Sequence, residues 1–213
     1  MIIARIVSVV IGYIFGLFQT GYFYAKSKGV DIHKEGSGNV GTTNTLRVLG
    51  PKAGLITFVG DLSKAILAVL VSWLLFHNTY PDAVRLLMLY AAFGSVLGHN
   101  YPFYLHFKGG KGIACTAGTI LAVCPLAAPI CLGVFVLAVA LTRYVSLGSV
   151  LVVSVFLAQM IVFGQTGHID LAASYLYEFY IVSACFTIMG IWRHRSNIDR
   201  LLHGTENKLG AKK

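Results

Sequence analysis

Residues 54–76 read GLITFVGDLSKAILAVLVSWLLF. At 1.5 Å per residue this run makes a helix of about 35 Å, enough to cross the roughly 30 Å hydrocarbon core of a bilayer. Two charges, Asp61 and Lys64, interrupt it at i and i+3. Charges inside a span are costly and are usually paired or functional. The spacing predicts a structural pair facing a helix bundle.

Further apolar runs lie on either side, at 2–25, 84–99, 112–124, 126–142, 145–164 and 174–192. The stretch 112–142 is too long for one ordinary span, and Pro125 and Pro129 fall in its middle. Proline removes a backbone donor and clashes with the preceding turn, so two helices with a tight turn near Pro125 are predicted. The first run is longer than a typical signal-peptide core, has only Arg5 as a basic residue near its start and shows no clear cleavage site, so it reads as a span. The fold class is therefore all-α: a polytopic membrane helical bundle of about seven transmembrane helices, one membrane domain over residues 1–213. A count of five would merge or omit the short runs. Composition agrees, with 56% hydrophobic and 12% charged residues and a mean hydropathy of +0.74. A soluble domain carries about 25% charged residues.

Charge orients the chain. With the N-terminus outside, the inner segments hold 14 of the 17 Lys and Arg residues: five in 26–52, Lys108 and Lys111 in 100–111, Arg143, and six from Arg193 onward, including Lys212 and Lys213. Arg5 and Arg85 fall outside. The positive-inside rule then puts the N-terminus outside and the C-terminus in the cytoplasm, which requires an odd number of spans. The net charge of +9 sits in short loops between apolar runs. That favours anionic lipid or small phosphorylated molecules over nucleic acid as partners. The four cysteines, Cys115, Cys124, Cys131 and Cys185, lie in apolar stretches without metal-ligand spacing and read as buried free thiols. Gly12 with Gly16, and Gly94 with Gly98, are small-xxx-small pairs that let helix backbones approach closely.

Three polar segments stand out between the runs. The first is Gly36-Ser37-Gly38-Asn39-Val40-Gly41-Thr42-Thr43-Asn44-Thr45-Leu46-Arg47. Its glycines let successive backbone N–H groups turn into one concavity, and Arg47 adds a planar fork suited to phosphate. The second is Gly98-His99-Asn100-Tyr101-Pro102 followed by Phe107-Lys108-Gly109-Gly110-Lys111-Gly112. Glycine and lysine just before an apolar helix make an anion site, although the nucleotide-binding P-loop pattern is absent. The third is Arg193-His194-Arg195-Ser196-Asn197-Ile198-Asp199-Arg200, continuing to Gly204-Thr205-Glu206. If the last helix continues through it, His194, Asn197 and Leu201 share one face. A His-x-x-x-x-Asp spacing occurs at His77–Asp82 and His194–Asp199. The first lies in an outside turn away from the basic motifs, and in the second an i+5 spacing on a helix splays the side chains by about 140°, so both are read as coincidence.

These segments resemble the three signatures of the bacterial acyl-phosphate:glycerol-3-phosphate acyltransferase family: GSGNxGATNxxR, GHxxPxxxxFKGGKG and RHxxNIxRLxxGxE. This chain has GSGNVGTTNTLR, GHNYPFYLHFKGGKG and RHRSNIDRLLHGTE, and the order of apolar runs also matches. Thr42 replaces the usual alanine, and Cys115-Thr116 stands where Ala-Thr is usual. The resemblance implies transfer of a fatty acyl group from acyl phosphate to the 1-hydroxyl of glycerol 3-phosphate. The products are lysophosphatidate and phosphate, at the start of bacterial phospholipid synthesis. It also implies a seven-span fold with all three motifs on the cytoplasmic side of the inner membrane, and direct use of neither acyl-carrier protein nor coenzyme A.

That chemistry requires two phosphate-bearing substrates side by side. Acyl phosphate is already activated, so positioning and electrostatic stabilisation suffice without a covalent nucleophile. On this reading Arg47 and Lys111 bind phosphate, and Ser37 and Asn44 donate to a substrate oxygen. His194 and Asn197 orient the acyl phosphate or the attacking hydroxyl. Gly38, Asn39, Gly41, Thr43, Lys108, Gly109, Gly110, Gly112 and Arg193 complete the binding surface. Either His194 or a substrate phosphate oxygen serves as general base. No metal or cofactor is expected. The alternative is a phosphate or organophosphate transporter, but transporters place their sites near the bilayer midplane on broken helices, whereas these basic motifs gather at one face.

Overall fold

The computed structural model describes residues 1–210, so Lys212 and Lys213 lie outside the described residues. Among the described residues the regular structure is helical throughout. Each predicted span corresponds to helix, and five stretches are long and apolar enough to cross a membrane. The chain divides into two compact units, Met1–Val123 and a second from Cys124 onward.

In the first unit, α1 (Ile2–Gly16) and α2 (Thr20–Ser27) replace the single helix expected over 2–25. The chain breaks at Leu17–Gln19 without a proline. The Phe18 and Leu17 carbonyls freed there are paired by distant groups. Lys64 Nζ donates to the Phe18 carbonyl at 2.6 Å, and the Tyr104 hydroxyl donates to the Leu17 carbonyl at 2.6 Å. Gln19 Nε2 donates to the Gly16, Gly98 and His99 carbonyls. A break in an apolar span survives only where such partners re-satisfy the backbone.

The polar segment after α2 is not loop throughout, since α3 (Thr42–Leu49) forms within it and Gly50, at φ +87°, ends it. Then α4 (Pro51–Phe76) opens with proline in its first turn, where its missing N–H costs nothing. Two shorter helices complete the unit, α5 (Val84–Asn100) and α6 (Ile113–Val123). The 11 residues of α6 reach about 17 Å, too little to cross the bilayer core alone.

The two glycine pairs meet each other. A Cβ on Gly12 would land on the Ala91 carbonyl oxygen, and one on Gly16 on the Ser95 carbonyl. Reciprocally, Gly94 faces the Val9 carbonyl and Gly98 the Tyr13 carbonyl. α1 and α5 therefore touch backbone to backbone, which fixes the end of α5 and the polar loop that follows it.

The second unit opens with the predicted proline turn, a 3₁₀ turn at Pro125–Ala127. Three long helices follow: α7 (Ala128–Thr142), α8 (Val145–Gln165) and α9 (Ala173–Arg193), then the short α10 (Arg195–Leu202). Leu132, Leu137 and Leu141 of α7 and Ile188 of α9 are exposed, as expected of lipid-facing surfaces. All four cysteines are free thiols, three buried and Cys185 half-buried. Cys131 Sγ donates to Gln159 Oε1 at 3.0 Å.

Candidate active site

The first polar segment is built around one side chain. Asn44 is buried, and its Oδ1 accepts the Ser37 N–H at 2.8 Å while its Nδ2 donates to the Glu35 carbonyl at 3.0 Å. Both ends of the amide thus fold the chain over the start of α3. The turn needs Gly36 and Gly38, whose φ angles are +59° and +69°. A Cβ on Gly36 would also strike Asn44 Oδ1. Asn39 Oδ1 accepts the Gly41 N–H at 3.0 Å, and Thr45 Oγ1 donates to the Gly41 carbonyl at 2.8 Å. These bonds set the first turn of α3, where Thr43 is half-buried. The Thr42 hydroxyl is buried there without a protein partner. Ser37 and Arg47 reach the surface, with Arg47 Nη1 3.5 Å from Asn44 Oδ1.

The second segment folds back on the end of α5. The Gly109 N–H donates to the Asn100 carbonyl at 3.2 Å, and the Gly110 N–H to the His99 carbonyl at 3.0 Å. His106 and Phe107 sit at positive φ, 52° and 60°, to make the reversal. Left-handed non-glycine residues cost about 1–3 kcal/mol each and concentrate at functional sites. Gly112, at φ +82°, leads into α6. Burial pushes the Tyr104 phenol above its usual range, keeping its proton for the Leu17 carbonyl.

The two segments are joined. His33 Nε2 donates to the Lys108 carbonyl at 3.1 Å. Beside this junction lies a cavity of about 680 Å³, lined by Tyr22, Lys26, His33, Tyr104, His106 and Lys108 among others. The positive groups near the loops therefore include Arg47, Lys26, Lys108 and Lys111.

The third segment belongs to the second unit, and its helix does not run straight through. α9 ends at Arg193, and α10 restarts at Arg195, with His194 between them at φ −99° and ψ 5°. The His194 carbonyl accepts the N–H groups of Asn197 and Ile198, both at 2.8 Å. Its ring Nδ1 donates to the Gly190 carbonyl at 2.8 Å. A neutral His194 then carries its lone pair at Nε2. Asn197 Nδ2 donates to Glu206 Oε1 at 3.0 Å, and Arg200 Nε to Glu206 Oε2 at 2.8 Å. Asp199 lies 3.4 Å from His203, not on His194.

The sequence matches the glycerol-3-phosphate acyltransferase family over residues 6–204. The chain belongs to the glycerol-3-phosphate acyltransferase family. A glycerol-3-phosphate acyltransferase of Clostridioides difficile (strain 630) is 42% identical over 213 residues, covering 100% of this chain and 98% of that one. Its counterpart in Halalkalibacterium halodurans is 42% identical over 202 residues, 94% of this chain and 93% of that one. Among solved structures, PlsY (YgiH), an integral membrane glycerol 3-phosphate acyltransferase, matches in its glycerol 3-phosphate form. The TM-score is 0.80 at 33% identity, over 97% of this chain and 96% of that one. Its lysophosphatidic acid form gives 0.79 at 35% identity, over 97% and 95%.

The fold shared with this acyltransferase family is that of an integral, multi-pass membrane protein. Within it, Ser37, Asn44 and Arg47 come together at α3, and Lys108 to Gly112 lie along the end of α5. His194 and Asn197 are neighbours in the second unit. Asn44 supports its loop, where the sequence suggested a donor to substrate. Sequence reading missed His33, His99 and Tyr104 as elements that hold the loops. The one advance signal was the charged pair in residues 54–76.

Proposed function

We propose that this acyltransferase transfers a fatty acyl group from acyl phosphate to the 1-hydroxyl of glycerol 3-phosphate. Lysophosphatidate and inorganic phosphate leave, and the reacting groups face the cytoplasm from a bacterial inner membrane. The observation that carries this reading is the His33–Lys108 junction. It ties the glycine turn that bears Ser37 and leads into α3, with Arg47 in its last turn, to a glycine–lysine loop bearing Lys108 and Lys111. Two phosphate groups need that density of cations and side-chain donors. Full-length similarity to a protein seen in glycerol 3-phosphate and lysophosphatidic acid forms supports the acceptor and the product.

In this mechanism Arg47 and Lys111 hold phosphate, and the Ser37 hydroxyl donates to a substrate oxygen. In the first unit the substrate-binding surface includes Gly38, Asn39, Gly41, Thr43, Lys108, Gly109, Gly110 and Gly112, and Arg193 of the second unit is proposed as a further substrate-binding residue. The hydroxyl attacks the acyl carbon, and phosphate departs with the carbon–oxygen bonding pair. The test is incubation of detergent-solubilised protein with acyl phosphate and labelled glycerol 3-phosphate. Labelled lysophosphatidate is the expected product, and its absence from a folded sample would sink the proposal.

His194 and Asn197 are proposed to take part in the same reaction. Replacing His194 with alanine is expected to lower kcat/KM by about 10²–10⁴-fold, the range of a lost acid–base group. The ring's Gly190 contact leaves Nε2 as the basic nitrogen. A loss confined to kcat assigns it the proton. A loss confined to KM leaves the proton to a substrate phosphate oxygen.

A further inference from the structure

Asp61, Lys64 and His99 are buried at 1%, 4% and 3% exposure, and the mechanism above uses none of them. Lys64 Nζ lies 2.9 Å from Asp61 Oδ1, 2.8 Å from His99 Nδ1 and 2.6 Å from the Phe18 carbonyl. Thr20 Oγ1 adds a hydrogen bond to Asp61 Oδ1 at 3.1 Å. An ammonium has three N–H donors and no acceptor. All three point to acceptors here, so His99 Nδ1 must accept. A neutral His99 then carries its proton on Nε2, the edge turned toward the glycine–lysine loop.

That edge meets the loop directly. A Cβ on Gly110 would land on His99 Nε2, and one on Gly109 on the His99 carbonyl. The His99 and Asn100 carbonyls also accept the loop's Gly110 and Gly109 N–H groups. The same histidine is thus clamped by Lys64 on one ring nitrogen and forms the floor under Gly110 with the other. Gly110 separates Lys108 from Lys111 together with Gly109, so the floor fixes the backbone between the two lysines. Apolar packing would stabilise a helix bundle as well as a buried ion pair, often better, which argues for a role beyond stability.

We propose that Asp61, Lys64 and His99 are positioning residues that hold the Lys108–Gly112 loop in its phosphate-binding shape. This inference rests on the acyltransferase reading above. The order of action is Asp61 on Lys64, Lys64 on the His99 ring, and the ring on Gly110.

The test is a size swap read by kinetics. His99→Asn keeps an acceptor for Lys64 and removes the ring edge beneath Gly110. KM for at least one phosphate substrate should rise tenfold or more, with kcat within about threefold and the melting midpoint in detergent near that of the wild type. Gly110→Ala drives a methyl into the ring and should raise the same KM at least tenfold. It lies outside the helices and does not depend on His99→Asn folding. Combining the two places the methyl in the space the ring vacates, so KM should fall below that of either single variant. A role in stability alone would lower the melting midpoint and leave KM unmoved. An unmoved KM in either single variant, or a double variant no better than the worse single one, overturns the inference while the wild type's activity stands. A folded wild type that forms no lysophosphatidate removes both.

Discussion

Replacing Arg47 with alanine is expected to lower kcat/KM by about 10²–10³-fold while leaving the melting behaviour in detergent nearly unchanged. Arg47 lies in the last turn of α3 with its side chain at the surface. Its contact with Asn44 Oδ1, at 3.5 Å, is at the long limit of a hydrogen bond, so truncation removes little that holds the fold. Surface changes of that kind usually stay within about 0.5 kcal/mol. A preorganised donor aimed at developing negative charge, by contrast, is worth about 3–4 kcal/mol. On the proposed mechanism, the phosphate released from acyl phosphate is where that charge gathers. Arg47→Lys keeps a positive charge but loses the planar fork that contacts two phosphate oxygens, so it should recover only part of the rate. Steady-state kinetics in both substrates, with a thermal melt of each variant, separates the outcomes. Wild-type turnover in Arg47→Ala would remove Arg47 from the site. A collapsed melt would make it structural.

Local signals in the sequence reached far for this protein. The apolar runs mark every long helix, and Pro125 marks the turn that opens the second unit. Gly12, Gly16, Gly94 and Gly98 mark the close helix contact, because spacing by four puts small residues on one helix face. The glycine-rich segments were legible as tight turns because glycine there serves backbone geometry, at positive φ in Gly36, Gly38 and Gly112. What the chain hides is long-range pairing. Leu17-Phe18-Gln19 carries no helix breaker, and the break holds only because Lys64, Tyr104 and the end of α5 supply partners 46 to 87 positions away. The break at His194 is hidden for a different reason: a local ring-to-carbonyl bond to Gly190 accompanies a restart of the helix. Asn44 looked like a substrate donor by composition. Its partners, Ser37 and Glu35, become visible only once the turn has formed.

Substituting leucine for Gly98 should abolish the folded state, whereas the same substitution at Gly133 should not. Both glycines sit inside apolar helices, α5 and α7, so helix propensity favours leucine at each by about 0.5–1 kcal/mol. The surroundings reverse that preference at one of them. At Gly98 the first added carbon already lands on the Tyr13 carbonyl oxygen, with the Gly16 Cα 3.0 Å away. Those atoms are backbone and have no rotamer to change, so α1 and α5 must separate. Separation also pulls Gln19 Nε2 from the Gly98 and His99 carbonyls and the Tyr13 hydroxyl from the Tyr101 carbonyl. The combined loss of packing and buried hydrogen bonds should exceed about 4 kcal/mol, the range reserved for core disruption. At Gly133 nothing lies within 4 Å of an added Cβ, and neighbouring Leu132 and Leu137 are already exposed. Gly133→Leu should therefore purify as a monodisperse species with an unchanged or slightly raised melting midpoint. Gly98→Leu should give aggregate or no recoverable protein under identical conditions. A monodisperse Gly98→Leu with wild-type melting would mean that α1 and α5 do not meet backbone to backbone, and the seating of His99 at the end of α5 would have to be sought in contacts other than these glycines.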